Sequence, residues 1–187
     1  MAPDMPIFTP DDIMAGRVPQ GKVVIYDDDH YYMGGVLAEL LAGGGCEVTI
    51  ITPSAYLSDW TVNTLEQHAI HRKLDGLGVN IVLNRGVVEI GPGHVVSNCT
   101  YTDTTTEYGC NAVVMVSSRR ENNQLFNDLK ARQVDWADAG IRSVEIIGDA
   151  NAPGPIAWAT YAGHRYAREL DGGDIGDALP FRREITE

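Results

Sequence analysis

The segment Lys22-Val23-Val24-Ile25-Tyr26 is apolar without alternation and no longer than a single strand, and this constrains the fold more than any other feature. A strand with one wet face alternates apolar and polar residues. An unbroken run suits a strand buried on both faces of a parallel sheet. Met33, Val36, Leu37, Leu40 and Leu41 then recur at helical spacing, and Gly43-Gly44-Gly45 ends that helix. Cys46 to Ile51 is a second strand. Strand, helix and strand in so short a stretch form a βαβ unit, whose crossover is expected to be right-handed.

The flanking segments extend this plan. Thr9-Pro10-Asp11-Asp12 carries an N-cap, a proline for the first turn and two acids, predicting a short helix that Gly16 ends. A loop with Pro53, Tyr56 and Trp60 leads to a helix predicted from about Thr61 to Leu77, followed by a strand from Asn80 to Leu83. Gly86 to Ile90, Gly93 to Asn98 and Thr100 to Tyr108 are short, alternating and separated by turn residues, which reads as an antiparallel meander. Ala112 to Val116 returns to a buried strand. A helix from Asn122 to Trp136, a strand from Arg142 to Ile147 and a helix opened by Pro153-Gly154-Pro155 follow. Ile156, Thr160, Gly163 and Ala167 mark a small-residue face on that helix, and the tail from Asp171 reads as extended. The expected architecture is an α/β, Rossmann-like three-layer domain, with a mostly parallel central sheet and a three-stranded antiparallel meander. Its expected parts are an extension over 1–21, a degenerate nicotinamide-type domain over 22–141, and a strand, helix and tail over 142–187.

In a dinucleotide-binding βαβ unit the first strand runs into G-x-G-x-x-G, whose glycines make the turn, admit the pyrophosphate and let helix and strand pack closely. Here those places hold Asp27, Asp29 and Tyr32, within Asp27-Asp28-Asp29-His30. Two carboxylates against pyrophosphate cost on the order of 4 kcal/mol per contact at an effective dielectric of 20. The second strand ends in Thr52-Pro53-Ser54 rather than in an acid for the ribose hydroxyls or an arginine for a 2′-phosphate. Ordinary NAD(P) binding is therefore not expected. The plain alternative is a solvated acidic turn at a helix N-terminus. A third reading makes Asp27 and Asp29 the nucleophile and acid of a Mg²⁺-dependent haloacid-dehalogenase-type phosphatase, with Ser117, Lys130 and Gly148-Asp149 in support. It lacks a second acid shortly after Asp149 and a threonine two residues after Asp29.

Charge and cysteine usage narrow the partners. The net charge of −12 argues against nucleic acid and anionic membrane, which need a basic face. No apolar run approaches the ~18 residues of a membrane span. The N-terminus lacks the basic start and apolar core of a signal peptide, so a cytoplasmic location is expected. Cys46, Cys99 and Cys110 are far apart, offer no CxxC pair and read as free thiols. His68 and His71 lack a third ligand at matching spacing, and Arg119-Arg120 reads as a solvated helix start. Trp136 and Trp158 read as packing residues.

Gly148-Asp149-Ala150 ends the predicted strand at Ile147 just before a helix. In flavoproteins with two dinucleotide folds such an Asp bonds a ribityl or ribose hydroxyl, so the three are candidate FAD- or ADP-type contacts. Val23 to Met33, Leu37 to Ala42, Leu129-Lys130-Ala131-Arg132 with Trp136, Ile147 to Pro153 and Ala162 to Glu169 together resemble the small C-terminal domain of the trimethylamine, dimethylamine and histamine dehydrogenase family of iron–sulfur flavoproteins, which are NADH:flavin oxidoreductase-like. The resemblance runs from about Thr9 to the tail and includes the glycine-free turn. It implies a parent enzyme that oxidises amines with FMN in a TIM barrel and passes electrons through a [4Fe–4S] cluster to an electron-transfer flavoprotein. It also implies a structural ADP in an FAD-type domain. The chain would then be a non-catalytic, structural or partner-docking domain or subunit that binds no cofactor alone. Its partners would be the barrel and FAD-type domain, or a second copy through the Ala159, Gly163 and Ala167 face. A free-standing regulatory or scaffold domain is the other open reading.

Overall fold

The computed structural model describes residues 5–170 and Gly172; the tail read as extended otherwise lies outside them. The chain divides into two compact units, 1–118 and 119–187.

In the first unit, β1 (Ile7–Phe8), β2 (Lys22–Asp27), β3 (Glu47–Ile51), β4 (Asn80–Val82) and β8 (Ala112–Val116) form one sheet in the order β1-β8-β2-β3-β4. All of its pairings are parallel. Between β4 and β8 the chain makes β5 (Arg85–Gly91), β6 (His94–Cys99) and β7 (Thr105–Gly109), an antiparallel sheet of its own. The α/β class and the meander are those expected from the sequence.

The apolar runs are unbroken because both faces of the parallel sheet are covered. Val23, Ile25, Val48, Ile50, Val114 and Val116 pack with Ile13 of α1 (Pro10–Met14), Leu37, Ala38 and Leu41 of α2 (Tyr32–Gly43), and Leu74 of α3 (Gln67–Gly76). Val24, Ile51 and Val113 instead pack with Val95 and Cys110, joined by Val87, Ile90 and Tyr108 of the meander. The side-chain period of two thus sends odd residues of β2 to the helices and even ones to the antiparallel sheet. Asp27 belongs to the odd set.

Local signals act as expected at several ends. Thr9 and Asp12 form a reciprocal capping box on α1, and Gly44 caps α2. Two segments of this unit differ. Ile7–Phe8 is too short to show a period, and it exists as a strand through its pairing with Val113 and Val114. The helix predicted from Thr61 is instead a 3₁₀ turn at Asp59–Val62, then a break, then α3 from Gln67. The Thr61 hydroxyl donates to Ser58 O at 2.6 Å and the Thr64 hydroxyl to Thr61 O at 3.1 Å. Leu65 adopts a left-handed φ of 62°. These side-chain-to-backbone bonds offer the chain an alternative to the helical ladder.

The second unit contains α4 (Gln124–Ala131), 3₁₀ turns at Gln133–Asp135 and Gly148–Ala150, and α5 (Ile156–Glu169). The strand predicted over Arg142–Ile147 does not form among the described residues; a strand needs a neighbour, and no described strand pairs with it. Trp136 donates its indole N–H to Leu129 O at 2.9 Å, and Lys130 lies over the rings of both Phe126 and Trp136. Neither α4 nor α5 has a buried residue, and Ile156, Trp158, Tyr161, Leu125 and Val134 are exposed.

This contrast in burial predicts unequal costs of truncation. Leu37→Ala should lower unfolding free energy by about 2–5 kcal/mol, whereas Leu125→Ala should change it by less than ~0.5 kcal/mol. Urea denaturation of the chain measures both.

Candidate functional site

The carboxyl end of β2 meets that of β8 where strand order reverses, the place at which open α/β sheets receive ligands. There Asp28 N–H donates to Val116 O at 2.8 Å, tying the two strand ends together. The turn that follows is built around Asp27. Its side chain is fully buried, with Oδ1 accepting from His30 N–H at 3.2 Å. Its Oδ2 has no hydrogen-bond partner. Burial pushes Asp27 up to about 6 from the usual 3.8, against the pull of the His30 backbone N–H.

What receives the carboxyl is the first turn of α2. A Cβ on Gly34 would stand 2.5 Å from Asp27 Cγ and 2.6 Å from its Oδ2. A Cβ on Gly35 would stand 3.1 Å from Ile70 Cγ2 and 3.3 Å from Ser58 Oγ. Close approach of helix to strand, normally given by the last glycine of the phosphate motif, is supplied here two residues later. Tyr32 at the motif position turns away from this contact: its hydroxyl meets Thr64 Oγ1 at 3.1 Å and Glu66 Oε2.

His30 links three segments. It adopts a left-handed φ of 60°, where glycine is usual. Its carbonyl accepts from Trp60 N–H at 2.9 Å. Its Nδ1 lies 3.3 Å from Thr52 Oγ1, and its Nε2 lies 3.5 Å from Asp28 Oδ1. Thr52, at the ribose-binding place, is buried, and Ser54 Oγ donates to Asp59 at 2.7 Å. The imidazole and the Tyr56–Glu66 loop therefore border the strand ends that a dinucleotide would cross.

The structure brings Asp27, Asp28, Asp29, His30 and Tyr32 into one turn but divides their roles. Asp28 and Asp29 are exposed, so they supply the negative charge at the turn. Asp27 does not face outward, contrary to the picture of two motif carboxylates opposing a pyrophosphate. Strand alternation carries the reason, because Asp27 shares the helix-covered face of Val23 and Ile25 and so lies under α2. A fully buried Asp27 is also out of reach as a phosphatase nucleophile. The residues missed from sequence are Gly34, Gly35, Ser58 and Trp60. Gly34-Gly35 was visible as a glycine pair inside a helical pattern, a signal of close approach.

Gly148, Asp149 and Ala150 lie in the second unit as a 3₁₀ turn before α5. Gly148 has a left-handed φ of 62°, and a Cβ there would lie 3.7 Å from Ala159 Cβ. Asp149 is exposed. Cys46 donates to Pro19 O at 3.4 Å and Cys110 is buried. No described residues form a cluster of three or more metal-ligating side chains, and these separated thiols do not fit an iron–sulfur cluster. No described helix is long and apolar enough to cross a membrane.

A parallel sheet with an antiparallel meander and a glycine-free turn after β2 defines an α/β domain of the nucleotide-binding type. The chain belongs to the family of OYE-like second alpha/beta domains, which matches residues 8–127. It is 34% identical over 95% of its length to dimethylamine dehydrogenase of Hyphomicrobium sp. (strain x), of which it covers 27%. It superposes on histamine dehydrogenase from Rhizobium sp. 4-9 with a TM-score of 0.92 and 64% identity, over 99% of this chain and 29% of that one. For 6-hydroxypseudooxynicotine amine oxidase from Pseudomonas geniculata N1 the TM-score is 0.78 and the identity 37%, over 86% of this chain and 25% of that one. The amine-dehydrogenase resemblance read from the sequence is therefore borne out, and the chain spans under a third of each of these relatives.

The fit of Asp27 under α2 predicts an uneven response to added methyl groups. Gly34→Ala should destabilise by about 3 kcal/mol through overpacking against Asp27. Gly43→Ala, with open space around it, should be neutral or stabilise by up to ~1 kcal/mol. Thermal unfolding of the two variants checks the difference.

Proposed function

We propose that this chain is a non-catalytic domain or subunit of a flavin-dependent amine oxidoreductase, holding architecture and offering a docking face, without ordinary NAD(P) binding. The observation that carries the reading is the turn itself. Asp27 fills the space beneath α2, His30 reaches Thr52 at the end of β3 while its carbonyl holds the Trp60 N–H, and Asp28 and Asp29 leave negative charge where pyrophosphate would sit. Similarity to dimethylamine and histamine dehydrogenases supports the amine-oxidising parent.

On this reading FMN and a [4Fe–4S] cluster belong to the remainder of the parent, which supplies the redox chemistry. Electrons leave it for an electron-transfer flavoprotein in the cytoplasm. Residues 22–141 form the degenerate nicotinamide-type domain. Residues 142–187 return to an FAD-type domain, whose sheet would give Arg142–Ile147 a partner and cover Ile156, Trp158 and Tyr161. Gly148, Asp149 and Ala150 would there meet ADP, with Asp149 accepting from a ribose hydroxyl and the backbone of the turn near phosphate.

Calorimetric titration of the chain with NADH, NADPH, ADP and FAD tests the reading. No saturable NADH or NADPH binding is expected in the micromolar range, and micromolar affinity for either would overturn it.

A further inference from the structure

Two buried side-chain atoms among the described residues lack a hydrogen-bond partner, Asp27 Oδ2 and Ser58 Oγ. Both border the same step of α2, Asp27 against Gly34 and Ser58 against Gly35. Ser58 is fully buried and left-handed, with φ 50° and ψ 48°. It opens the 3₁₀ turn that carries Trp60. A chain of two hydrogen bonds joins these places: Asp27 Oδ1 holds His30 N–H, and His30 O holds Trp60 N–H. We propose that Asp27 is a proton-operated latch: its neutral carboxyl keeps the Asp28–His30 turn and the Ser58–Val62 segment closed as one unit, and its ionised form releases both.

The buried environment favours the neutral form. An ionised Asp27 would leave one charged oxygen enclosed without a donor, and burying such a group costs far more than burying the acid. Relief comes from moving the carboxylate toward solvent. That movement breaks the bond to His30 N–H, removes the support for its left-handed φ and so frees its carbonyl from Trp60.

The charged neighbours do not offer another buried counter-ion. The turn contributes Asp28 and Asp29, both exposed, and His30, whose Nε2 faces Asp28. Burial pushes Asp27 up and outweighs the downward pull of the His30 backbone N–H, the His30 ring and the Asp29 backbone N–H, while the Asp29 charge adds to the rise. Tyr26 lies beside them on β2, itself raised by burial and by Asp28 and Asp27. From α2 come Gly34 and Gly35, while the Tyr32 hydroxyl is engaged with Thr64 and Glu66. From β8 comes Val116, and from the loop Ser58, with Asp59 bonded to Ser54.

The sign follows from a folded-state value near 6 against 3.8. The closed form binds the proton more tightly, so its advantage is complete below about pH 3.8, declines as pH rises and is lost above about 6. Over pH 5–8 the opening equilibrium should rise about tenfold.

Hydrogen exchange by mass spectrometry on the full-length protein, corrected for intrinsic exchange, tests this between pH 5 and 8. Peptides covering 28–34 and 57–64 should lose protection together, with a midpoint near 6. Asp27→Asn should flatten the dependence, and His30→Asn, which tolerates the left-handed φ, should retain it. A flat wild-type profile, a dependence surviving in Asp27→Asn or lost in His30→Asn, or a response in only one segment would overturn the latch. Should Asp27→Asn fail to fold, infrared titration of the wild type decides: a protonated-carboxyl band lost in step with protection supports the latch, and no such band sinks it.

Discussion

The carboxyl of Asp27 lies against Gly34 with no room for a Cβ between them, and most of the carboxyl end of the sheet is arranged around that contact. Burial of the acid depends on the absence of a side chain at Gly34. The position of His30 depends on the acid, through the bond from its N–H to Oδ1. The Trp60 segment depends on His30, through the backbone bond to its carbonyl. A dinucleotide-binding turn reaches a similar helix–strand distance with glycines and leaves its surface open to pyrophosphate. Here the same backbone plan is kept, but a side chain from within fills the tight point and exposed acids stand outside it.

In the second unit neither α4 nor α5 has a buried residue. Helices without one buried residue cannot be stabilised by a shared core, and exposed Ile156, Trp158 and Tyr161 are costly to leave in water. Trp136, clasped by Lys130 and by the carbonyl of Leu129, gives local order but little core. A domain that spans under a third of its relatives is expected to have such faces. The proposed return to an FAD-type sheet accounts for both the exposed helix and the unpaired Arg142–Ile147 segment.

Much of the fold was legible because its signals are local. Unbroken Val and Ile runs announced strands covered on both faces, and Thr9 with Asp12 announced a cap. Short alternating segments broken by glycine announced the meander. Leu65 was not legible as a break, because the side-chain bonds of Thr61 and Thr64 win over a helical pattern only in the folded loop. The β-strand at Ile7–Phe8 and the absence of one at Arg142–Ile147 both turn on whether a neighbouring strand is present. At the site, the loss of glycines was plain, yet the destination of Asp27 was not drawn from it. Counting alternation from Val23 through Ile25 to Asp27 would have put the carboxyl on their face of the sheet, the one that α2 covers, and made Gly34 the residue to ask about.

A double-mutant cycle in unfolding free energy tests the contact itself, using Asp27→Gly, Gly34→Ala and the pair. If the acid and the glycine are complementary in size, Asp27→Gly removes most of the penalty of Gly34→Ala, giving a coupling of about 2 kcal/mol. Effects that add to within ~0.5 kcal/mol would show that Asp27 does not fill the space beneath α2, and would contradict the account.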